Sequence, residues 1–347
     1  MSGNRRRQTT VGLVVNPAAG RDIRRLTGGA SVSDNYAKRR TAECVLEGLT
    51  VVDDVHVLVM PDSTGLANKL VDDAPADLDV ELLDTTVTAS GRDTRQAAER
   101  FAERADAAVV LGGDGTNRDV AHGIGDVPVV SISTGTNNVV PTPVDGTVAG
   151  AAAALVGSGA VPVEESTYRH GMVEARVDGD EEKTVRGLAT LGVLDRPFVG
   201  TRAILDPGDI VGGVVSRASS TEIGLSGIPG GLLTHRPDDP GGVGFRLGPP
   251  AESSRTVRAV TVPGVLSTVG VEDYRVLDDG EDFVFEMPRG VVSVDGEREL
   301  AVREATIRVR PLADGPRMVR IEDVVERGAQ EGWFRVDVGA VSPERSE

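Results

Sequence analysis

The sequence predicts an α/β protein with an N-terminal doubly wound parallel sheet and a C-terminal all-β sandwich. Three observations predict it. Up to residue 157, short apolar runs alternate with amphipathic, helix-like stretches, the pattern of βαβ units. From Tyr168 onward, strand-like segments follow one another with Gly and Pro turns. Within the first half, the apolar run 107–111 feeds directly into Gly112-Gly113-Asp114-Gly115-Thr116. Open parallel sheets bind ligands at such carboxyl ends.

The elements follow in order. Residues 11–15 read as a buried strand that ends in the turn Asn16-Pro17-Ala18-Ala19-Gly20. Residues 36–49 mix apolar and charged residues as a helix does. Strands are expected at 55–60, 80–83, 107–111 and 127–132, and helices at 67–71, 94–105 and 147–157, with Asp93 as N-cap of the second. The β half has expected strands at 171–177, 186–194, 257–262, 283–287, 291–294 and 306–309. Gly290 reads as a hairpin turn and the Gly-rich stretch 207–248 as loop. The expected division is 1–146 for the α/β domain, 147–315 for the β domain, and a tail, 316–347, returning to the first.

Composition bounds the function. The chain carries 54 acidic against 37 basic residues, a formal charge of -17, which argues against nucleic-acid and anionic-membrane partners. Lys38, Lys69 and Lys183 are its only lysines. A Lys-poor, Arg-rich, acidic composition fits a salt-loving organism, and a GC-rich genome explains it too. Cys44 stands alone, so an intrachain disulfide is impossible. No apolar run reaches the ~18 residues of a spanning helix, and the expected location is the cytoplasm.

The loop carries the chemistry. Its glycines let backbone N–H groups approach a phosphate, and a following helix start adds donors. Asp114 would repel that phosphate, so it reads as a proton acceptor from an attacking hydroxyl or as a Mg²⁺ partner. Thr116 can donate its hydroxyl to phosphate. The four histidines have no metal-ligand spacing, and His122 is placed to fix the helix after the loop. No G-x-x-x-x-G-K-[ST] loop and no G-x-G-x-x-G fingerprint is present.

Gly112-Gly113-Asp114-Gly115-Thr116 resembles the signature shared by NAD kinases, diacylglycerol and sphingosine kinases and, distantly, phosphofructokinases. Around it, in family order, stand Asn16-Pro17 with Gly20, Gly135-Thr136-Asn137-Asn138, Ser219-Ser220-Thr221 with Leu225-Ser226 and Gly230-Gly231, and Asp295-Gly296-Glu297. The continuation Gly20-Arg21-Asp22-Ile23-Arg24 and the segment Phe198-Val199-Gly200-Thr201-Arg202-Ala203 are most similar to the AcoX-like, or ATP-NAD-kinase-like, subgroup of archaea and bacteria.

The resemblance implies a phosphofructokinase-like first domain and ATP-dependent transfer to a hydroxyl, with NAD as the leading acceptor. ATP or polyphosphate is the donor and Mg²⁺ its counter-ion. Catalysis falls to Asp114. Phosphate and nucleotide contacts fall to Asn16, Gly112, Gly113, Gly115, Thr116, Thr136, Asn137 and Asn138, and substrate contacts to Asp195, Ser220, Thr221, Asp295 and Glu297. A dimeric or tetrameric homo-oligomer is implied as well. Two alternatives stand beside this reading, a lipid or polyol kinase and a non-catalytic nucleotide sensor. They gain from one departure: orthodox NAD kinases carry an Asn-Glu or Asn-Asp pair where residues 189–195 here read Ala-Thr-Leu-Gly-Val-Leu-Asp.

Overall fold

A computed structural model describes residues 8–17, 34–134, 138–179, 182–196 and 207–336. The first sheet is built on β1 (Thr9–Val15), β2 (Val55–Val59), β3 (Asp79–Leu82), β4 (Ala107–Gly112) and β5 (Val129–Ser133), in the spatial order β3-β2-β1-β4-β5 and all parallel. Alternate residues serve opposite faces, as the strand period requires. Val11, Leu13 and Val15 meet α1 (Asn35–Leu49), α2 (Leu66–Asp72), α5 (Gly146–Gly157) and α7 (Ile321–Glu331). Val14 and Val110 meet α3 (Gly91–Arg104) and α4 (Asp114–Ala121) on the other face. The sheet is therefore doubly wound. Its order reverses between β1 and β4, so their carboxyl ends bound the crevice where such sheets take ligands.

The chain leaves this sheet through the short α6 (Val163–Ser166) and β6 (Thr167–Arg169), and returns at β16 (Arg317–Val319). β16 pairs parallel to β5 and antiparallel to β6, so the crossing segments lie side by side in the first sheet. The helix α5, directly upstream, also packs on that sheet.

The second unit is one nine-stranded antiparallel sheet. Its strands are β7 (Met172–Asp178), β8 (Lys183–Gly187), β9 (Thr190–Leu194), β10 (Ile210–Val215), β11 (Gly242–Gly248), β12 (Arg255–Val262), β13 (Val265–Leu277), β14 (Phe283–Val294) and β15 (Glu297–Leu312), in the order β12-β13-β11-β10-β9-β14-β15-β7-β8. The sheet bends so that β15 touches β10 and β11, which lie several places away. One core with two layers results, filled by Leu191, Val193, Phe285, Val292 and Ile307.

Four local expectations are corrected. Helix α3 begins three residues before Thr94, capped by Ser90, whose hydroxyl accepts from the Arg92 N–H (3.3 Å). Asp93 sits inside the first turn and accepts from the Thr88 and Ala89 N–H groups. The stretch 207–248 holds two inner strands, β10 and β11. Its glycines are packing residues: a Cβ at Gly213 would lie 2.3 Å from the Leu191 carbonyl oxygen, and one at Gly244 2.4 Å from the Phe283 ring. Gly290 lies inside β14 for the same reason, its Cβ position 2.7 Å from the Leu194 oxygen. Finally, 186–194 is two strands, broken at Leu188-Ala189.

Candidate active site at the crevice between the two sheets

Strand β4 ends at Gly112, and Gly113 caps α4 in an extended conformation. The first α4 bond runs from the Asn117 N–H to the Gly113 oxygen (3.1 Å), so the N–H groups of Asp114, Gly115 and Thr116 precede it. Asn117 also anchors this start: its amide donates to Gly113 O (2.9 Å) and accepts from the Ser131 hydroxyl (2.6 Å). Thr116 folds back over the loop. A Cβ at Gly112 would stand 2.5 Å from the Thr116 Cβ, so this close packing requires glycine at 112. Asn16, leaving β1, donates from Nδ2 to the Thr116 hydroxyl oxygen (3.0 Å). The two sides of the crevice are thus stitched together by residues a hundred positions apart in the chain.

Asp114 is half-buried at the head of α4. The Val139 N–H donates to both of its carboxylate oxygens (3.0 Å each), and the Val140 N–H donates to Oδ1 (2.9 Å). Burial is the largest influence on the acid, followed by those amides and by the charges of Asp295 and Glu222; the sum lifts its pKa to about 7. Burial and like charge destabilise the anion more than the amides stabilise it. Both neighbouring carboxylates come from the second unit, Asp295 from the β14–β15 hairpin and Glu222 from the segment between β10 and β11.

The second sheet meets the loop through the β14–β15 hairpin. Asp295 and Gly296 both have positive φ, 47° and 80°, as a two-residue type I′ turn demands. The Asp295 carboxylate accepts from the N–H groups of Leu188 (2.8 Å), Ala189 (2.8 Å) and Thr190 (2.9 Å), pinning the break between β8 and β9. Arg118, one helical turn after Asp114, crosses to this hairpin. It donates to Glu297 Oε2 (2.9 Å) and to the Val294 oxygen (3.3 Å). The guanidinium is nearly buried while Glu297 stays open to the cleft. Glu297 also lies over the loop, 3.3 Å from where a Gly115 Cβ would be.

The structure brings together Asn16, Gly112, Gly113, Asp114, Gly115, Thr116, Asp295 and Glu297. Asn138 stands close by, donating from Nδ2 to the Ser133 hydroxyl at the end of β5 (2.7 Å). Thr136 and Asn137 lie outside the described residues, as do Gly20–Arg24 and the segment 198–203. Asp195 is not part of the cluster. It is exposed, at the far end of β9 from Thr190, about 16 Å away at the rise of an extended strand. Ser220 and Thr221 are exposed in a turn, and the Thr221 hydroxyl meets Ser219 (2.8 Å). The next residue, Glu222, is the buried one; it pairs with Arg217, and its own pKa is raised by burial.

Sequence reasoning missed Arg118, Glu222 and the two amides of Val139 and Val140. Arg118 had a signal, since the i+4 spacing from Asp114 puts both on one helix face. Backbone donors have none. His122 does cap α4, its Nδ1 bonded to the Arg118 oxygen (2.6 Å). Among the described residues no three His, Cys, Asp or Glu side chains converge on a metal position. None of the described helices is long and apolar enough to cross a membrane.

Comparison with known proteins follows this two-part geometry. Residues 11–160 match the ATP-NAD kinase N-terminal domain, and residues 171–314 match the acetoin catabolism protein X C-terminal domain. Acetoin catabolism protein X of Cupriavidus necator is 32% identical over 304 residues, covering 84% of each chain. The chain belongs to the acetoin catabolism protein X family. The segment matching the ATP-NAD kinase N-terminal domain supplies the Gly loop, and the segment matching the acetoin catabolism protein X C-terminal domain supplies the β14–β15 hairpin. Among solved structures, yeast NADH kinase complexed with NADH is similar at 14% identity, with 96% of this chain and 90% of that chain covered and a TM-score of 0.46. A putative diacylglycerol kinase from Bacillus anthracis str. Sterne is similar at 14% identity, with 90% and 96% covered and a TM-score of 0.40.

Proposed function

We propose that this protein transfers the terminal phosphoryl group of a nucleoside triphosphate, ATP first, to an alcohol hydroxyl of a small molecule. One observation carries the reading: a carboxylate with a pKa of about 7, aimed by two backbone amides, stands at the head of the helix that follows the Gly loop. A base near neutrality is well matched to taking a hydroxyl proton. In the step, the acceptor O–H proton passes to Asp114, the acceptor oxygen bonds to phosphorus, and the bond to the leaving diphosphate breaks. The N–H groups at the start of α4, with the Thr116 hydroxyl, hold phosphate oxygens. A Mg²⁺ carried in on the donor's phosphates would supply charge neutralisation.

The leading acceptor is NAD, at its adenosine-ribose 2′-hydroxyl, giving NADP. A second reading, transfer to a neutral polyol, is favoured by a specific feature. Glu222 and Asp295 add like charge at Asp114, which opposes a phosphate-bearing acceptor, and residues 189–195, where NAD kinases carry an Asn-Glu or Asn-Asp pair, hold no Asn and only one acid, Asp195. Cytoplasmic location, a homo-oligomeric state and adaptation to salt belong to the same proposal.

The test offers ATP and Mg²⁺ at molar salt to the full chain with NAD, NADH, glycerol and a diacylglycerol, and identifies products by mass. NADP formation supports the first reading. Glycerol phosphate with NAD inert moves the assignment to polyols. Tight ATP binding with no phosphorylated product from any acceptor rejects transfer and leaves a nucleotide sensor.

A further inference from the structure

Lys38 is the bulkiest fully buried side chain among the described residues, at 1% exposure. Lysines are almost never buried this completely without a compensating partner. Its place in the fold adds to the cost, because Lys38 lies in the first turn of α1, where the helix dipole disfavours a cation. Composition does not explain it, since only three of the 37 basic residues are lysines. Its neighbours behave differently. Arg39 and Arg40 remain partly or largely exposed and pair with Glu43 on the surface of the same helix. Lys38 alone turns inward.

Its target is the crevice. Nζ donates to the Pro17 carbonyl oxygen at 2.8 Å. Pro17 follows Asn16, whose N–H bonds the Leu111 oxygen at the end of β4 (3.3 Å) and whose amide holds Thr116 (3.0 Å). A buried cation is thus one residue removed from the contact that fixes the phosphate-loop threonine. Its ammonium reaches the turn that follows β1.

We infer that Lys38 is a positioning residue of the phosphate subsite: it holds the Asn16-Pro17 turn against the Gly loop and supplies a fixed positive charge beneath the phosphates of the donor. This rests on the reading of residues 112–116 as the phosphate site. Lysine suits the task, because a compact point charge on an unbranched stem fits a buried channel that a guanidinium fork would overfill.

The experiment uses the full chain and the variants Lys38→Met, Lys38→Gln and Lys38→Arg. Calorimetry reads binding of ATP, inorganic tripolyphosphate and adenosine; melting is followed in parallel, and KM and kcat are measured on whichever acceptor the wild type phosphorylates. Lys38→Met is expected to weaken ATP and tripolyphosphate by at least about tenfold, the scale of one lost charge-assisted contact, and to leave adenosine unchanged. KM for ATP rises more than kcat falls, and Lys38→Arg recovers part of the loss. The melting temperature falls as well, because the Pro17 oxygen loses its donor, so the selective loss of phosphate compounds over adenosine, not stability, carries the test. If Lys38→Met does not fold, Lys38→Gln, which keeps a donor for Pro17 but no charge, decides in its place. Unchanged tripolyphosphate affinity overturns the inference, as does a loss shared equally by adenosine. A wild type that binds no phosphate compound overturns it too. Tripolyphosphate binding that depends on Lys38, in a protein that phosphorylates nothing, sinks the transfer reading and keeps this one. Turnover indifferent to Lys38 does the reverse.

Discussion

Asp114 and Asp295 face each other across the crevice with the same chemistry and opposite fates. Both are aspartates withdrawn from water, and burial raises both pKa values. Both accept backbone N–H groups. Asp295 takes three, from consecutive residues Leu188, Ala189 and Thr190, and sits in a left-handed conformation at the tip of a hairpin. Arg118 further favours its charged form. Asp114 takes two amides, no cation is among its main influences, and part of its surface is open. Filled acceptor capacity makes Asp295 a structural clamp, whereas the open face and unfavourable charges at Asp114 support its proposed role as proton acceptor. Residue type alone does not separate the two; the partners do.

The largest expected effect breaks the comparison at Asp114. Asp114→Asn should lower turnover by roughly 10²–10⁴-fold, the scale of a general base, with the fold retained in circular dichroism. Near-wild-type turnover would remove the acid from the mechanism. In the wild type, kcat/KM should climb about tenfold per pH unit up to about 7 and level off above it, as Asp114 loses its proton. A flat profile between pH 5 and 8 would contradict this.

The same acid sets a stability trend of known sign. Its pKa is raised in the folded state from 3.8 to about 7, so the fold holds this proton more tightly than the unfolded chain does. The resulting stabilisation is complete below pH 3.8 and is lost as pH rises to about 7. Above that range Asp114→Asn should be the more stable protein, by up to about 4 kcal/mol, and urea midpoints at pH 5 and pH 8 read the difference. Asp295→Ala should act in the opposite way. It leaves buried N–H groups without an acceptor and should cost about 3 kcal/mol, seen as a lower urea midpoint at any pH. An Asp295→Ala protein of normal stability and no activity would exchange the two roles.

The smallest effects compare two glycines of one loop. Gly112→Ala drives a methyl to within 2.5 Å of Thr116, should cost about 1–3 kcal/mol, and should raise KM for ATP by disturbing the contact with Asn16. Gly115→Ala meets only the exposed end of Glu297, at 3.3 Å, and should change stability by less than about 0.5 kcal/mol. Urea titration and ATP kinetics on the pair measure both.

Much of the first sheet was readable in the chain. Runs such as 107–111 are apolar on both faces, and a strand covered by helices on both sides must be. The second sheet was harder, because its glycines imitate loops. Gly213 and Gly244 allow close approach by residues distant in sequence, which no local pattern announces. The site divides in the same way. Gly112, Asp114 and Thr116 lie within five residues and declare themselves together. Asp195, taken from the family resemblance alone, is exposed just past the end of β9, away from the Thr190 end that meets Asp295. Glu222 was hidden beside Ser220 and Thr221, because the direction of a turn decides which of three neighbours points inward.

By itself the sequence determined the two-part fold, the strand that delivers the Gly loop, the turn at Asp295-Gly296 and the family to which these belong. Each depends on periodicity, backbone freedom or short spacing, which are local properties. Only the tertiary structure decided that burial lifts the Asp114 pKa while Asp295 is filled by three backbone N–H groups, that Arg118 ties the helix after the Gly loop to the β14–β15 hairpin, and that Lys38 rather than its arginine neighbours turns inward to the Pro17 oxygen. Those outcomes depend on desolvation and on the partners that distant segments bring, and both exist only once the chain has folded.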